Sequence, residues 1–309
     1  MTRTQPTFVV KDAAEALNRN QPICSVIVPV FNHWGRVPAL LESLQAQTLP
    51  QSEFEVILVD NGSTEFEPPQ LLPPNVRVLR CETPGSYAAR NTGAFHAAGA
   101  WLAFTDADCR AAPDWLAGLL GRVKNGGSNQ GLVAGAVQMY AESTDPNVYE
   151  IYDILRGIPQ EHYVSRGYAA TANLLVPKSM LEELGGFDAT RYSGGDADLC
   201  RRARARGYSL HYLPEAAVYH PARRSWEEIV TKARRIKGGQ LLCGSLRSRV
   251  YWALRTLFPP LELYYRYASS SCQPVRYRLV SVLVQTRVWG YELVEMAHLL
   301  TRARLPPQR

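Results

Sequence analysis

Several things are scarce in this sequence, and each scarcity removes a class of protein. No stretch of its 309 residues reaches the roughly 18 consecutive apolar positions of a simple transmembrane helix, so none is expected. Cys24, Cys81, Cys109, Cys200, Cys243 and Cys272 lie far apart and form no C-x-x-C pair. That spacing excludes a thiolate zinc ribbon and fits reduced, structural thiols in a cytosolic compartment. Met1 to Gln21 shows no apolar h-region, so a secretory leader is not expected. Internal repeats are absent. So is a Gly-rich, Lys/Arg-bearing phosphate loop after the first apolar segment, where Pro29-Val30-Phe31-Asn32 stands instead.

What is present suits a globular protein. With 46% hydrophobic and 20% charged residues, the chain can bury the core of one large or two ordinary domains. The net charge of +6 hides an asymmetry. Residues 1–222 hold 18 Lys/Arg and 23 Asp/Glu, a net of −5, and residues 223–309 hold 16 and 5, a net of +11. A basic tail on an acidic body points to an anionic surface as partner.

The pattern divides into an N-terminal arm (1–22), an α/β domain (23–222) and a basic helical region (223–309). Apolar, β-branched runs at 23–29 and 54–59 read as buried parallel strands, and 75–80 and 101–105 as further short strands. Helical spacing at 36–47, 87–98 and 113–123 falls between or after them. This β-α rhythm with short connections predicts a mostly parallel sheet flanked by helices. Strands are expected again at 131–140, 172–176, 208–213 and 217–219, with helices over 177–184 and 196–206. Segments 246–267 and 276–300 mix Leu, Val, Trp and Tyr with Arg at helical spacing. Such basic amphipathic helices either pack on the domain or a second subunit, or lie in a membrane interface. Their aromatics follow helix-core spacing and not a base-stacking surface, so nucleic acid is not the expected partner.

Thr105-Asp106-Ala107-Asp108 is the most telling motif. In an extended segment, side chains two apart point the same way, so Asp106 and Asp108 are expected to aim at one spot past a strand end. Open α/β sheets bind ligands there. Two close carboxylates repel unless a cation lies between them, and hard oxygen ligands suit Mg²⁺ or Mn²⁺. Taken alone, the pair also suits a surface turn with a helix cap. Asp60, in Asp60-Asn61-Gly62-Ser63, follows the second strand and either forms a turn or accepts hydrogen bonds from a base or ribose. Arg90 lies on the helix leading into the D-x-D strand, where a guanidinium can pair with a phosphate or an acidic residue. Gly194 and Gly195 let backbone approach a ligand. Asp196 then opens a helix, as an N-cap or as an ionised general base. His220 follows a late strand and is a candidate metal or phosphate contact. One chemistry joins these pieces. A nucleoside diphosphate leaves a sugar when its charge is neutralised by a D-x-D-bound metal, while a separate carboxylate deprotonates the attacking hydroxyl.

SVIVPVFN (25–32), VILVDNGS (56–63), GSYAARNTGAFHAAGAWLAFTDADC (85–109), ATANLLVPKSMLEELGGFD (170–188), GGDADLCRRARARGY (194–208) and VYHPARRSW (218–226) together resemble family 2 glycosyltransferases of the GT-A fold. The resemblance covers about residues 23–226 in order. It implies a Rossmann-like α/β domain and inverting transfer of a sugar, most often from a UDP-sugar, to a glycan or lipid-linked glycan in cell-surface polysaccharide or glycolipid synthesis. It further implies nucleotide binding by Pro29, Val30, Phe31, Asn32, Asp60, Arg90 and Asp106. Mn²⁺ or Mg²⁺ would sit on Asp106 and Asp108, Asp196 would be the base, and Asn173 would wall the donor-sugar or acceptor site beside Gly194 and Gly195. One departure stands out: the late motif often reads Glu-Asp, and here Gly195 stands in the Glu position. Region 223–309 is expected to serve self-association or peripheral attachment to the cytoplasmic face of an anionic inner membrane. Two rival readings are a sugar-phosphate nucleotidyltransferase, which the missing phosphate loop disfavours, and a membrane-bound scaffold with a decayed site.

Overall fold

The computed structural model describes residues 21–125 and 131–301, so nearly all of the expected N-terminal arm lies outside the described residues. Eight strands form one sheet: β1 (Cys24–Val30), β2 (Phe54–Asp60), β3 (Val76–Arg80), β4 (Trp101–Thr105), β5 (Arg110–Ala111), β6 (Leu132–Tyr140), β7 (Asn173–Pro177) and β8 (Leu210–Pro221). Their spatial order is β3-β2-β1-β4-β7-β6-β8-β5. The helices are α1 (Val37–Gln45), α2 (Ser86–His96), α3 (Trp115–Asn125), α4 (Val148–Arg156), α5 (Gln160–Ser165), α6 (Lys178–Glu183), α7 (Gly195–Ala205), α8 (Trp226–Leu242), α9 (Leu246–Leu257), α10 (Leu261–Ala268) and α11 (Val275–Leu300).

The central strands are buried on both faces, which explains their unbroken apolar runs. Cys24, Val26, Val28 and Val30 of β1 face one core with Phe54, Val56 and Leu58 of β2, under α1 and α3. Ile27 faces the other core with Ile57 and Val59, under α2, α6 and α7. This period of two is the strand geometry itself.

The sheet is more mixed than the β-α rhythm predicts. β1, β2, β3 and β4 are mutually parallel, but β7 runs antiparallel between β4 and β6. The two late strands expected at 208–213 and 217–219 are one strand, β8, which crosses a register shift opposite Gly135 and Val137. Helices α4 and α5 were not evident from the pattern. Asn147 and Glu150 close a reciprocal capping box at the start of α4. The segment read as one helix over 246–267 is broken by Pro259-Pro260 into α9 and α10.

The basic helices pack on the body. Tyr152 of α4, Ile229 and Ala233 of α8, Tyr267 of α10, and Val284 and Val288 of α11 form a separate small core. Gly239 of α8 makes the approach possible, because a Cβ there would lie 2.7 Å from the Ser193 carbonyl oxygen. The C-terminal region is thereby seated against the loop leading to Asp196.

Candidate active site

The carboxyl ends of β1, β2 and β4 and the N-terminal end of antiparallel β7 meet at one edge. Val30 pairs with Asp60 across β1 and β2, and Thr105 pairs with Asn173 across β4 and β7. The chain then turns through Asp106 to Cys109, closed by Cys109 N–H donating to the Asp106 carbonyl at 3.1 Å. The D-x-D is therefore a tight turn and not the extended segment expected from alternation. Its two carboxylates have different partners. Arg90 Nη2 donates to Asp106 Oδ1 at 2.7 Å, and the guanidinium is buried. Asp108 Oδ1 lies 3.6 Å from His220 Nε2.

The topology explains the second pairing. After the turn, β5 adds to β8, with Arg110 opposite Tyr219. This brings Asp108 alongside His220. His220 Nδ1 lies 2.8 Å from the Pro221 carbonyl. A carbonyl can only accept, so in the neutral ring Nδ1 carries the hydrogen and Nε2 presents its lone pair toward Asp108. Ligand atoms of Asp108, Cys109 and His220 all lie within 4.8 Å of one another. Burial, with the charges of Asp108 and Asp106, pushes the Cys109 thiol well up. The remaining donors, a carboxylate and an oriented imidazole, fit a divalent cation.

Asp196 is held in the first turn of α7. Gly194, at φ +79°, takes the left-handed conformation that starts α7. Asp196 Oδ1 accepts from Ala197 N–H at 3.0 Å and from the Tyr87 hydroxyl at 3.4 Å. Burial raises its pKa from the ordinary aspartate value, opposed by the Arg90 charge and backbone N–H groups. The Tyr87 hydroxyl is pushed up by burial and by Asp196, so it remains a donor. Tyr87 also stacks on Phe187, with ring centroids 5.7 Å apart. It further accounts for the departure at Gly195, since a Cβ at that position would lie 2.8 Å from the Tyr87 ring.

Three residues expected to touch ligand are buried or already partnered by protein groups. Val30 points into the core and is fully buried. Asp60 is also fully buried. Its carboxylate accepts from Trp34 Nε1 at 3.0 Å and Gly62 N–H at 3.1 Å, with Arg80 Nε 3.7 Å away. It shapes the loop and exposes no oxygen. Asn173, expected beside the sugar, is an internal strut. Trp115 Nε1 donates to its Oδ1 at 2.8 Å, and its amide donates to Ala136 O and Ala216 O, each at 2.8 Å. Pro29 and Phe31 stay partly exposed at the edge, and Asn32 is exposed. Asn32 adopts φ 56° and accepts from Thr64 N–H at 2.9 Å, which ties the loops after β1 and β2 together.

Spacing does not mark three residues that the fold brings in, Trp34, Tyr87 and Arg235. Trp34 and Tyr87 orient Asp60 and Asp196. Asp198, two residues after Asp196, is latched by Arg191 and Arg202 at 2.9 and 2.8 Å, as its place in the first helical turn suggests. Arg235 of α8 lies within the fields of Tyr87, Asp106 and Arg90. It has no hydrogen bond or ion pair among the described residues. Its spacing of four from Gly239 puts it on the same helix face, the one seated on the Ser193 loop.

Comparison with known proteins agrees with this geometry. Residues 25–184 match Glycosyl transferase family 2. The chain is 36% identical over 236 residues to the glycosyltransferase AglE of Haloferax volcanii, covering 71% of this chain and 73% of that protein. It is 31% identical over 215 residues to a pre-mycofactocin glycosyltransferase of Mycobacterium tuberculosis, covering 65% of this chain and 44% of that one. Among solved structures, the mannosyltransferase PcManGT of Pyrobaculum calidifontis, in complex with GDP-Man and Mn²⁺, shares the fold. Its TM-score is 0.57 at 18% identity, over 92% of this chain and 87% of that one. The same GT-A type architecture therefore underlies the two chains. The matched segment spans more than half the chain and includes β1, β2, β4, the D-x-D and β7, and the chain belongs to glycosyl transferase family 2.

Proposed function

We propose that this glycosyltransferase moves a sugar from a nucleotide-diphosphate donor, with a UDP-sugar the first to test, to a hydroxyl of a glycan or lipid-linked glycan, with inversion. The reading is carried by one observation. Asp196, with a Tyr87 donor, lies in the field of the same Arg90 that pairs with Asp106, and Asp108 of that turn pairs with His220. Acid–base and charge-neutralising functions thus fall on separate carboxylates joined through Arg90.

Each group has a distinct task in this reading. Phe31 and the joined Asn32–Thr64 loops take the base, with Asp60 fixing the loop from beneath. Asp108 and His220, with Asp106 nearby, would hold Mn²⁺ or Mg²⁺, which supplies Lewis-acid neutralisation of the diphosphate. Arg90 fixes Asp106, and Arg235 offers an unpaired guanidinium to phosphate oxygen. Asp196 accepts the proton of the acceptor hydroxyl as that oxygen bonds to the anomeric carbon. The bond from that carbon to the diphosphate oxygen breaks in the same displacement, which inverts the centre. Tyr87 holds the carboxylate throughout. The basic region 223–309 brings the enzyme to an anionic membrane surface that carries the acceptor.

Calorimetric titration of UDP and GDP with and without Mn²⁺ tests the donor half of this reading. Metal-dependent binding of either nucleotide, lost in Asp106→Ala, is the expected result. Binding that is indifferent to both metal and substitution would contradict it.

A further inference from the structure

The largest feature that the active site leaves unused is an exposed apolar surface on the C-terminal helices. Of the seventeen exposed large hydrophobic side chains among the described residues, thirteen lie within 246–300. Nine of these follow helical stripes. On α9 the stripe is Leu246, Val250, Leu254 and Leu257, on α10 it is Leu261 and Tyr265, and on α11 it is Val275, Leu279 and Leu283. Recurrence every three or four residues places each set along one helix face. These helices do not lack a core. Their opposite faces already pack, through Thr256 on α9, Tyr267 on α10, and Ser281, Val284, Gln285 and Val288 on α11. Both α9 and α10 also contact α11. The exposed stripes are therefore apolar surface outside the core, arranged in runs and not as scattered single residues.

Its charge identifies the occupant. Between 246 and 287 the chain carries seven arginines and one acidic residue, Glu262. None of the seven forms an ion pair among the described residues, and Arg249, Arg266 and Arg278 donate to backbone carbonyls instead. A second copy of this face would bring the same positive charge against itself. An anionic lipid headgroup layer would be complementary to it, at about 1 kcal/mol per arginine near the surface. No helix among the described residues is long and apolar enough to cross a membrane. We infer that α9, α10 and α11 form an interfacial docking face, with the leucine stripes in the acyl boundary and the arginines at the anionic headgroups. This inference rests on the membrane reading above and specifies the surface that makes contact.

Flotation of the full chain with vesicles tests it in the absence of donor. Vesicles of phosphatidylcholine alone are compared with vesicles that also contain phosphatidylglycerol. The chain should float with the anionic vesicles, less so at high salt. The L254E/L279E/L283E variant should bind at least about tenfold more weakly, while nucleotide release from a soluble donor is unchanged. If that variant does not fold, R247Q/R276Q, at two exposed positions, should weaken binding several-fold. Wild type that stays in solution with both vesicle types overturns the membrane reading and this face together. Wild type that floats alongside an equally bound, folded stripe variant overturns this face alone. A dimer dissolved by the stripe substitutions, with no vesicle binding, also overturns the inference and assigns the face to self-association.

Discussion

The Tyr87 ring occupies the space that a side chain at Gly195 would need, 2.8 Å from the position of its Cβ, and the Tyr87 hydroxyl reaches Asp196 next door. The two positions are therefore coupled. Gly195→Ala should destabilise the protein by about 1–3 kcal/mol through overpacking. Tyr87→Ala in the same chain should relieve much of that cost. Denaturant unfolding of the two single variants and the double variant checks this, and simple additivity would contradict the coupling.

Asp196 has its pKa raised by burial, against the pull of Arg90. A base must be ionised to act, so turnover should fall as pH drops through the raised pKa, with the acid limb at higher pH than a free aspartate would give. Tyr87→Phe removes a donor that favours the ionised form. It should move the acid limb to higher pH and lower kcat by more than it changes KM. A pH–rate profile of both proteins decides the point.

Arg235→Met should weaken nucleoside diphosphate binding about tenfold and leave nucleoside binding unchanged, since the lost partner is a phosphate oxygen. His220→Ala should weaken Mn²⁺ affinity at least about tenfold, read by titration of the ion with nucleotide present. Equal affinity in that variant would remove His220 from the metal site.

The buried Asp153 links the body to the C-terminal helices. Arg223 donates to it from backbone and side chain, at 3.1 and 2.9 Å. Burial would raise its pKa, but Lys232 and Arg223 outweigh that and hold it down to about 2. Lys232 is itself pushed well down by burial and by Arg223, so Arg223 is the firmer partner. A depressed pKa contributes stability that is present above the unfolded value and lost as pH falls through the folded one. The contribution should be about 2 kcal/mol near neutral pH, fading between about pH 4 and 2. Asp153→Asn should remove that acid dependence and strand buried cations, costing about 3–5 kcal/mol. Unfolding curves over this pH range measure both effects.

Much of the fold can be read from local pattern, because β1, β2 and β4 carry their own apolar runs and their turns follow at once. Antiparallel β7 could not be read this way, since direction within a sheet depends on long-range pairing and not on the LLV run itself. The single strand β8 was hidden for a similar reason: its middle crosses a register shift that interrupts the apolar signal. In the site, Asp106, Asp108 and Asp196 are marked by motif. Asp60 and Asn173 carry equally strong motif signals, yet their polar atoms are consumed by Trp34, Gly62, Trp115 and two strand carbonyls. Only tertiary contacts reveal that difference. Tyr87 and Arg235 emerge only when α2 and α8 are folded against the Asp196 loop.

The central claim is that Asp196 removes the acceptor proton while the D-x-D edge holds the departing diphosphate. The most direct measurement is donor turnover, followed as nucleotide release with Mn²⁺ and acceptor, beside calorimetric nucleotide affinity, for wild type and Asp196→Asn. Turnover should fall about 10²- to 10⁴-fold with nucleotide affinity unchanged. Unchanged turnover in the Asn variant would contradict the assignment.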